Sequence, residues 1–116
     1  MQGLFEVAAG SVAGRDHVLA GRNNQDAYCW ACLDQALLAV VCDGCGSGTH
    51  SEVGAQIGAR LLVQAMTRAL LSPAPAFWRR VQHDVLAQLR RLAEHLGGRL
   101  AHTVQDYLLF TVVGAL

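Results

Sequence analysis

The spacing of apolar residues predicts three consecutive strands at the start of the chain. Residues 4–12 and 27–33 are short apolar segments bounded by glycine or polar positions, which is typical of strands. Residues 36–43 begin with a continuous apolar run, as in a strand that is buried on both faces. Because Asp34 and Gln35 leave room only for a tight turn, we expect an antiparallel meander.

The apolar period then becomes helical. Apolar residues recur at helical spacing through residues 51–71 and 77–96, and a Gly-Gly pair follows the second segment as a C-terminal stop. Gly54 and Gly58, one turn apart, predict that another backbone approaches the first helix closely. The β-branched and aromatic residues of 107–116 predict a fourth strand.

These elements predict an α+β fold with an antiparallel sheet. The chain ends inside the fourth predicted strand, so we expect residues 1–116 to be an incomplete domain.

Composition and charge exclude several classes of partner. The nine arginines balance nine acidic residues, which gives no basic surface for nucleic acid or anionic membranes. No apolar run approaches the roughly 20 residues of a membrane span, and the N-terminus lacks a signal-peptide pattern. We therefore expect a cytoplasmic location.

Two CxxC pairs, Cys29–Cys32 and Cys42–Cys45, raise the hypothesis of a zinc site. Nine residues separate the pairs, fewer than the roughly 15–20 usual between zinc knuckles. In a strand, residues three apart face opposite sides, so Cys29 and Cys32 would not chelate together. We therefore favour cysteines that act as small buried apolar residues.

Carboxylates offer a different metal hypothesis. Asp43 ends a predicted buried strand and is followed by a Gly-rich turn, and Asp26 precedes the strand before it. If these strands pair through Asp34 and Gln35, both carboxylates lie at the same open end of the hairpin. Oxygen ligands in this arrangement suit Mg²⁺ or Mn²⁺.

Four motifs in order resemble the metal-dependent protein phosphatases of type 2C, with the bacterial branch as the nearest likeness. Residues 107–116 are similar to the next core strand of that family, with Thr111 at its usual threonine. The four motifs are Gly14–His17, Asn24–Ala27, Leu38–Ser47 and Ser51–Ala55.

The resemblance implies the N-terminal part of an α-β-β-α sandwich, in which helix pairs flank two antiparallel sheets. It also implies hydrolysis of Ser/Thr phosphoproteins at a two-metal Mg²⁺ or Mn²⁺ site, where a metal-bridging water attacks phosphorus. By the same resemblance, Asp43 bridges both ions and the Gly44 carbonyl binds one of them. Asp26 then orients or deprotonates the bridging water.

Two positions depart from the family pattern. Gln25 stands where the family often has Glu, so it could bond a metal-bound water but offers no charge. Gly21 stands where the phosphate-binding arginine is usual, which leaves Arg22, Arg15 and His17 as phosphate-binding candidates.

The resemblance further implies metal-binding aspartates beyond Leu116, in a C-terminal half of the domain. We therefore expect this chain alone to bind metal weakly and to hydrolyse little. The alternatives are a non-catalytic phosphatase-like binding module, suggested by Gln25 and Gly21, and the less favoured four-cysteine zinc domain.

Overall fold

The chain has an α+β fold with one antiparallel sheet and helices on one side of it. The structure is a computed structural model that describes residues 5–72 and 74–116. None of the helices in these ranges is long and apolar enough to cross a membrane. The elements are α1 (Arg15–Leu19), β1 (Asp26–Cys32), β2 (Leu37–Gly44), α2 (Ser51–Leu70), α3 (Phe77–Leu96), α4 (Leu100–Thr103), a π-helical turn (Val104–Leu108) and β3 (Phe110–Ala115).

The sheet has the order β1-β2-β3, and both pairings are antiparallel. The predicted turn between β1 and β2 is closed by a hydrogen bond from the Leu33 N–H to the Ala36 carbonyl, at 2.8 Å. Along β2, Leu38, Val40 and Cys42 alternate into the core beneath α2. The hairpin predicted from the two apolar segments is therefore confirmed.

Small residues form the face of α2 that packs on the sheet. Gly54, Ala55, Gly58 and Ala59 are all buried there, which lets the helix axis lie close to the strands. At Gly54 the neighbour is the backbone of residues 107 and 108, as predicted; at Gly58 it is instead the ring of Phe110. α3 packs on α2 and buries Val81 and Val85.

The opposite face of the sheet is apolar and open in the described part of the chain. Tyr28, Trp30, Val41 and Val113 alternate onto this face and are between 43% and 74% exposed. One covered face and one bare apolar face are what a single sheet of a sandwich presents.

The strand predicted at residues 4–12 is wrong for the part of it that the structure describes. Leu4 lies outside the described residues, Phe5 makes only an isolated β-bridge, and residues 6–12 form no strand. A strand needs a neighbour to take its backbone hydrogen bonds, and in the described sheet the other segments pair with one another. The meander is therefore completed by β3.

The last predicted strand is shorter than its apolar pattern suggested. Tyr107 and Leu108 belong to the π-helical turn, and β3 covers only Phe110–Ala115. Leu108 is buried, so these apolar residues are used to pack the turn onto α2. The predicted loop at 14–24 also contains the short helix α1.

Gly54→Ala tests the close approach between α2 and the π-helical turn. An added methyl group would overlap the Tyr107 carbonyl and lie 2.8 Å from the Leu108 Cα. Although alanine favours the helix by about 1 kcal/mol, we expect a net loss of about 1–3 kcal/mol in the free energy of unfolding. Urea denaturation measures this loss. Gly10→Ala, where nothing lies within 4 Å of the added methyl, is the control and should change little.

Candidate functional site

The structure places Asp26 and Asp43 directly opposite each other across β1 and β2. The next pair is bonded, because the Gly44 N–H donates to the Gln25 carbonyl at 3.0 Å. Asp26 and Asp43 therefore form a non-hydrogen-bonded pair, the position at which facing side chains come closest. The predicted convergence of these two carboxylates is confirmed.

The two carboxylates interact unfavourably when both are ionised. The pKa of Asp26 is raised above its ordinary value, first by partial desolvation and then by the hydrogen bond and charge of Asp43. The charge of His17 acts in the opposite direction, which places this side chain near Asp26. A divalent cation between the carboxylates would relieve the repulsion.

The Gly44 backbone faces the same end of the sheet. In an antiparallel pair the N–H and C=O of a residue point to the same side, so the Gly44 carbonyl is directed toward the start of β1. A side chain does not fit at Gly44, because a methyl group would lie 2.9 Å from the carbonyl oxygens of Gln25 and Ser51. The sequence Asp-Gly therefore brings a carboxylate and a closely packed carbonyl to one strand end.

Gln25 comes directly before β1 and is buried, whereas Asp26 is exposed. Gln25 is only 7% exposed and lines a polar cavity of about 420 Å³. The wall of this cavity consists of the loop before α2 and the residues that precede β1: Gly21, Arg22, Asn23, Gly46, Ser47, Gly48, Thr49, His50 and Glu52. Neither Asp26 nor Asp43 lines this cavity.

Arg22 is the phosphate-binding candidate that the structure places on this cavity. Its Nη1 donates to the Gly46 carbonyl at 3.4 Å, so the guanidinium lies against the Gly-rich loop. Gly21 has a φ of +63°, a conformation that arginine adopts only with strain. An arginine at position 21 would therefore be strained in this backbone. Arg15 is exposed at the start of α1, with no side-chain partner in the described residues.

Two asparagines to which the sequence patterns assigned no role hold the segment before Asp26 in place. The Oδ1 of Asn24 accepts the Asp26 N–H at 3.1 Å, while its Nδ2 donates to the Ser11 hydroxyl at 2.6 Å. Asn23 donates to Glu52 in the first turn of α2 at 3.2 Å. The paired asparagines before Gln25 were the available signal, since asparagine commonly bonds the backbone two residues ahead.

The π-helical turn supports the other side of the Gly-rich loop. The His50 N–H donates to the Asp106 carbonyl at 2.8 Å, and the His50 ring stacks on Tyr107 with centroids 5.3 Å apart. These contacts join residues far apart in sequence, so no local sequence pattern predicts them.

The cysteines are distributed in a way that does not favour zinc. Cys29 and Cys32 both lie on β1, and burial raises the pKa of the Cys42 thiol to about 11, with Cys29 adding to the shift. Within residues 5–72 and 74–116, no three of the cysteines cluster to hold an ion. Cys45 is exposed in the loop, where the Ser47 hydroxyl lowers the pKa of its thiol.

Sequence comparison adds one finding to this geometry. A family model described as protein phosphatase 2C matches residues 13–114. The chain belongs to the protein phosphatase 2C family. The match spans Asp26, Asp43 and the whole polar cavity, and it identifies a phosphatase-like domain. Comparisons with curated proteins and with solved structures found no significant match.

The donor atoms of this phosphatase 2C domain suit Mg²⁺ or Mn²⁺. Two facing carboxylates and a carbonyl are all hard oxygen ligands, and their mutual repulsion is the kind that a cation offsets. Within residues 5–72 and 74–116, however, no three His, Cys, Asp or Glu side chains cluster to hold an ion. The residues present fit part of a metal shell.

Asp26→Asn should stabilise the metal-free domain at pH 7. Because the folded pKa of Asp26 is raised, the wild-type protein loses stability as pH rises from the unfolded to the folded pKa. The variant avoids this loss, by less than about 1 kcal/mol because the site is screened by solvent. Urea denaturation in EDTA measures the difference, which should shrink as the pH falls below the unfolded pKa of Asp26. Asp16→Asn in α1 should give no such gain.

Proposed function

We propose that this phosphatase 2C domain hydrolyses phosphoserine and phosphothreonine esters of proteins with Mg²⁺ or Mn²⁺. The observation that supports the proposal most directly is the opposed pair Asp26 and Asp43, with the Gly44 carbonyl beside it. Phosphoryl transfer needs positioned cations and a base more than covalent chemistry, and this end of the sheet offers groups for both roles.

Each of the three groups has a distinct role in the proposal. Asp43 and the Gly44 carbonyl hold the ions, which when bound neutralise charge on the phosphate and supply a reactive water at neutral pH. Asp26 accepts a proton from the attacking water on a carboxylate oxygen. Its raised pKa makes it a better base than an ordinary aspartate.

The phosphate of the substrate needs a cation of the chain itself. Arg22 is our preferred residue, because its guanidinium reaches the Gly-rich loop that follows Asp43. His17 is a second candidate because its charge acts on Asp26, and Arg15 is a third from the same helix. Arginine suits this role through bidentate hydrogen bonds to phosphate oxygens.

The proposed location is the cytoplasm. All four cysteines are unpaired, which suits a reducing compartment.

A non-catalytic phosphate-binding module is the second candidate. The neutral Gln25 lines the polar cavity together with Arg22, and Asp26 does not line it. A domain that binds phosphoprotein through Arg22 without cleaving it would need nothing from the carboxylate pair.

Metal binding is the first expected property. Mg²⁺ and Mn²⁺ prefer about six oxygen ligands, so the three groups available predict weak binding by this chain alone. We expect the electron paramagnetic resonance signal of free Mn²⁺ to decrease as the ion binds to the chain. Asp43→Asn should weaken this binding at least about tenfold, because a charged ligand is lost. Asp16→Asn is the matched control. An unchanged Mn²⁺ affinity in Asp43→Asn would show that the carboxylate pair does not bind the ion.

Hydrolysis is the second expected property. Slow release of p-nitrophenol from p-nitrophenyl phosphate should require Mn²⁺ and should fall at least about a hundredfold in Asp43→Asn, as expected when a catalytic ion is lost. Phosphothreonine peptides should be cleaved in preference to phosphotyrosine peptides. Phosphopeptide binding without any metal-dependent cleavage would favour the non-catalytic module.

A further inference from the structure

A second cationic cavity lies at the opposite end of α2 from Asp43. It has a volume of about 470 Å³ and is bounded by the last turns of α2 and the first turns of α3. Ala65 and Ala69 form an apolar floor, while the rim carries Arg68, Arg79, Arg80, His83 and Asp84.

Positive charge exceeds negative charge on this rim. Asp84 is the single carboxylate among three arginines, and both of its oxygens are engaged. Its Oδ2 accepts Nε and Nη2 of Arg68 at 3.0 and 2.7 Å, and its Oδ1 accepts Nε2 of Gln88 at 3.0 Å. Arg79 and Arg80 are therefore left without a carboxylate partner in the described residues.

The first turn of α3 carries positive charges, where an isolated helix is stabilised by negative ones. Its N-cap is Ala76, which makes no side-chain cap, and the first turn contains no acidic residue. Arg79 and Arg80 instead lie next to the positive end of the helix dipole, where cations destabilise a helix and anions stabilise it. An oxyanion in the cavity would make both the dipole and the arginines favourable.

Two of the arginines are held in place before any ligand binds. Nε and Nη2 of Arg68 both donate to Oδ2 of Asp84, and Nη1 of Arg80 donates to the carbonyls of Ser72 and Ala74, each at 3.3 Å. Arg79 is exposed and free to close on a ligand. Positioned guanidinium groups lose little conformational entropy on binding.

We propose that this cavity is a phosphate-binding site, formed by Arg68, Arg79 and Arg80 on its rim. The site lies roughly 25 Å along α2 from Ser51, at 1.5 Å per residue, so it is separate from the carboxylate pair and needs no metal. Its phosphate comes either from free inorganic phosphate or from a phosphorylated segment of a protein.

Nuclear magnetic resonance titration of the 116-residue chain tests the site. In EDTA and at constant ionic strength, inorganic phosphate should shift the amide signals of Arg68, Arg79 and Arg80 in a saturable way. Arg79→Gln, a change at an exposed side chain, should weaken this binding about tenfold, as loss of a charge-assisted hydrogen bond predicts. Arg91→Gln on the same helix removes the same charge away from the cavity and should leave binding unchanged.

Three results would overturn the proposal. They are the absence of saturable shifts, equal weakening by Arg79→Gln and Arg91→Gln, and shifts confined to the start of α2. Asp43→Asn should retain the phosphate-induced shifts. The two proposals can therefore fail separately: loss of phosphate binding at the cavity would leave the phosphatase proposal intact, and loss of phosphatase activity would leave the cavity proposal intact.

A labelled phosphoserine peptide distinguishes the two sources of phosphate. Tighter binding of this peptide than of inorganic phosphate, with no binding of its unphosphorylated form, would identify a protein-docking site. Equal or weaker binding would identify a site for free phosphate and would overturn protein docking.

Discussion

The close packing of α2 is the constraint on which the rest of the structure depends. Glycine and alanine make up most of its buried face, so the helix lies near the sheet and near the backbone of residues 107 and 108 at the same time. Larger residues would push one of these neighbours away. Because the Gly-rich loop runs from β2 into this helix, the position of α2 also sets the position of the loop.

The second constraint is the register of β1 against β2. Asp26 faces Asp43 only because the short turn after Leu33 fixes which residues pair. A slip by one residue would move one carboxylate to the helix-covered face and separate the pair. Strand pairing therefore positions the two carboxylates, while Arg22, Asn23 and Asn24 belong to the loop before β1.

Much of this arrangement could be predicted from local patterns. The bounds of α3 agree with the prediction because an apolar helical period ends at Gly97, and the hairpin follows from two apolar runs around a tight turn. The facing carboxylates follow from the hairpin.

The remaining features depend on tertiary contacts that no short window of sequence contains. Residues 4–12 have a strand-like composition, yet in the described part of them only Phe5 pairs, in an isolated β-bridge. The π-helical turn packs on Gly54 of α2. Its Tyr107 ring stacks on His50, which lies more than 50 positions earlier in the sequence.

The length of α2 has a consequence for any partner that reaches both of its ends. The helix runs without interruption from Ser51 to Leu70, so the loop that follows Asp43 and the cationic cavity lie roughly 25 Å apart along it. An extended peptide covers that distance with about eight residues. A phosphoprotein that engaged both proposed sites at once would need two phosphate groups at least that far apart.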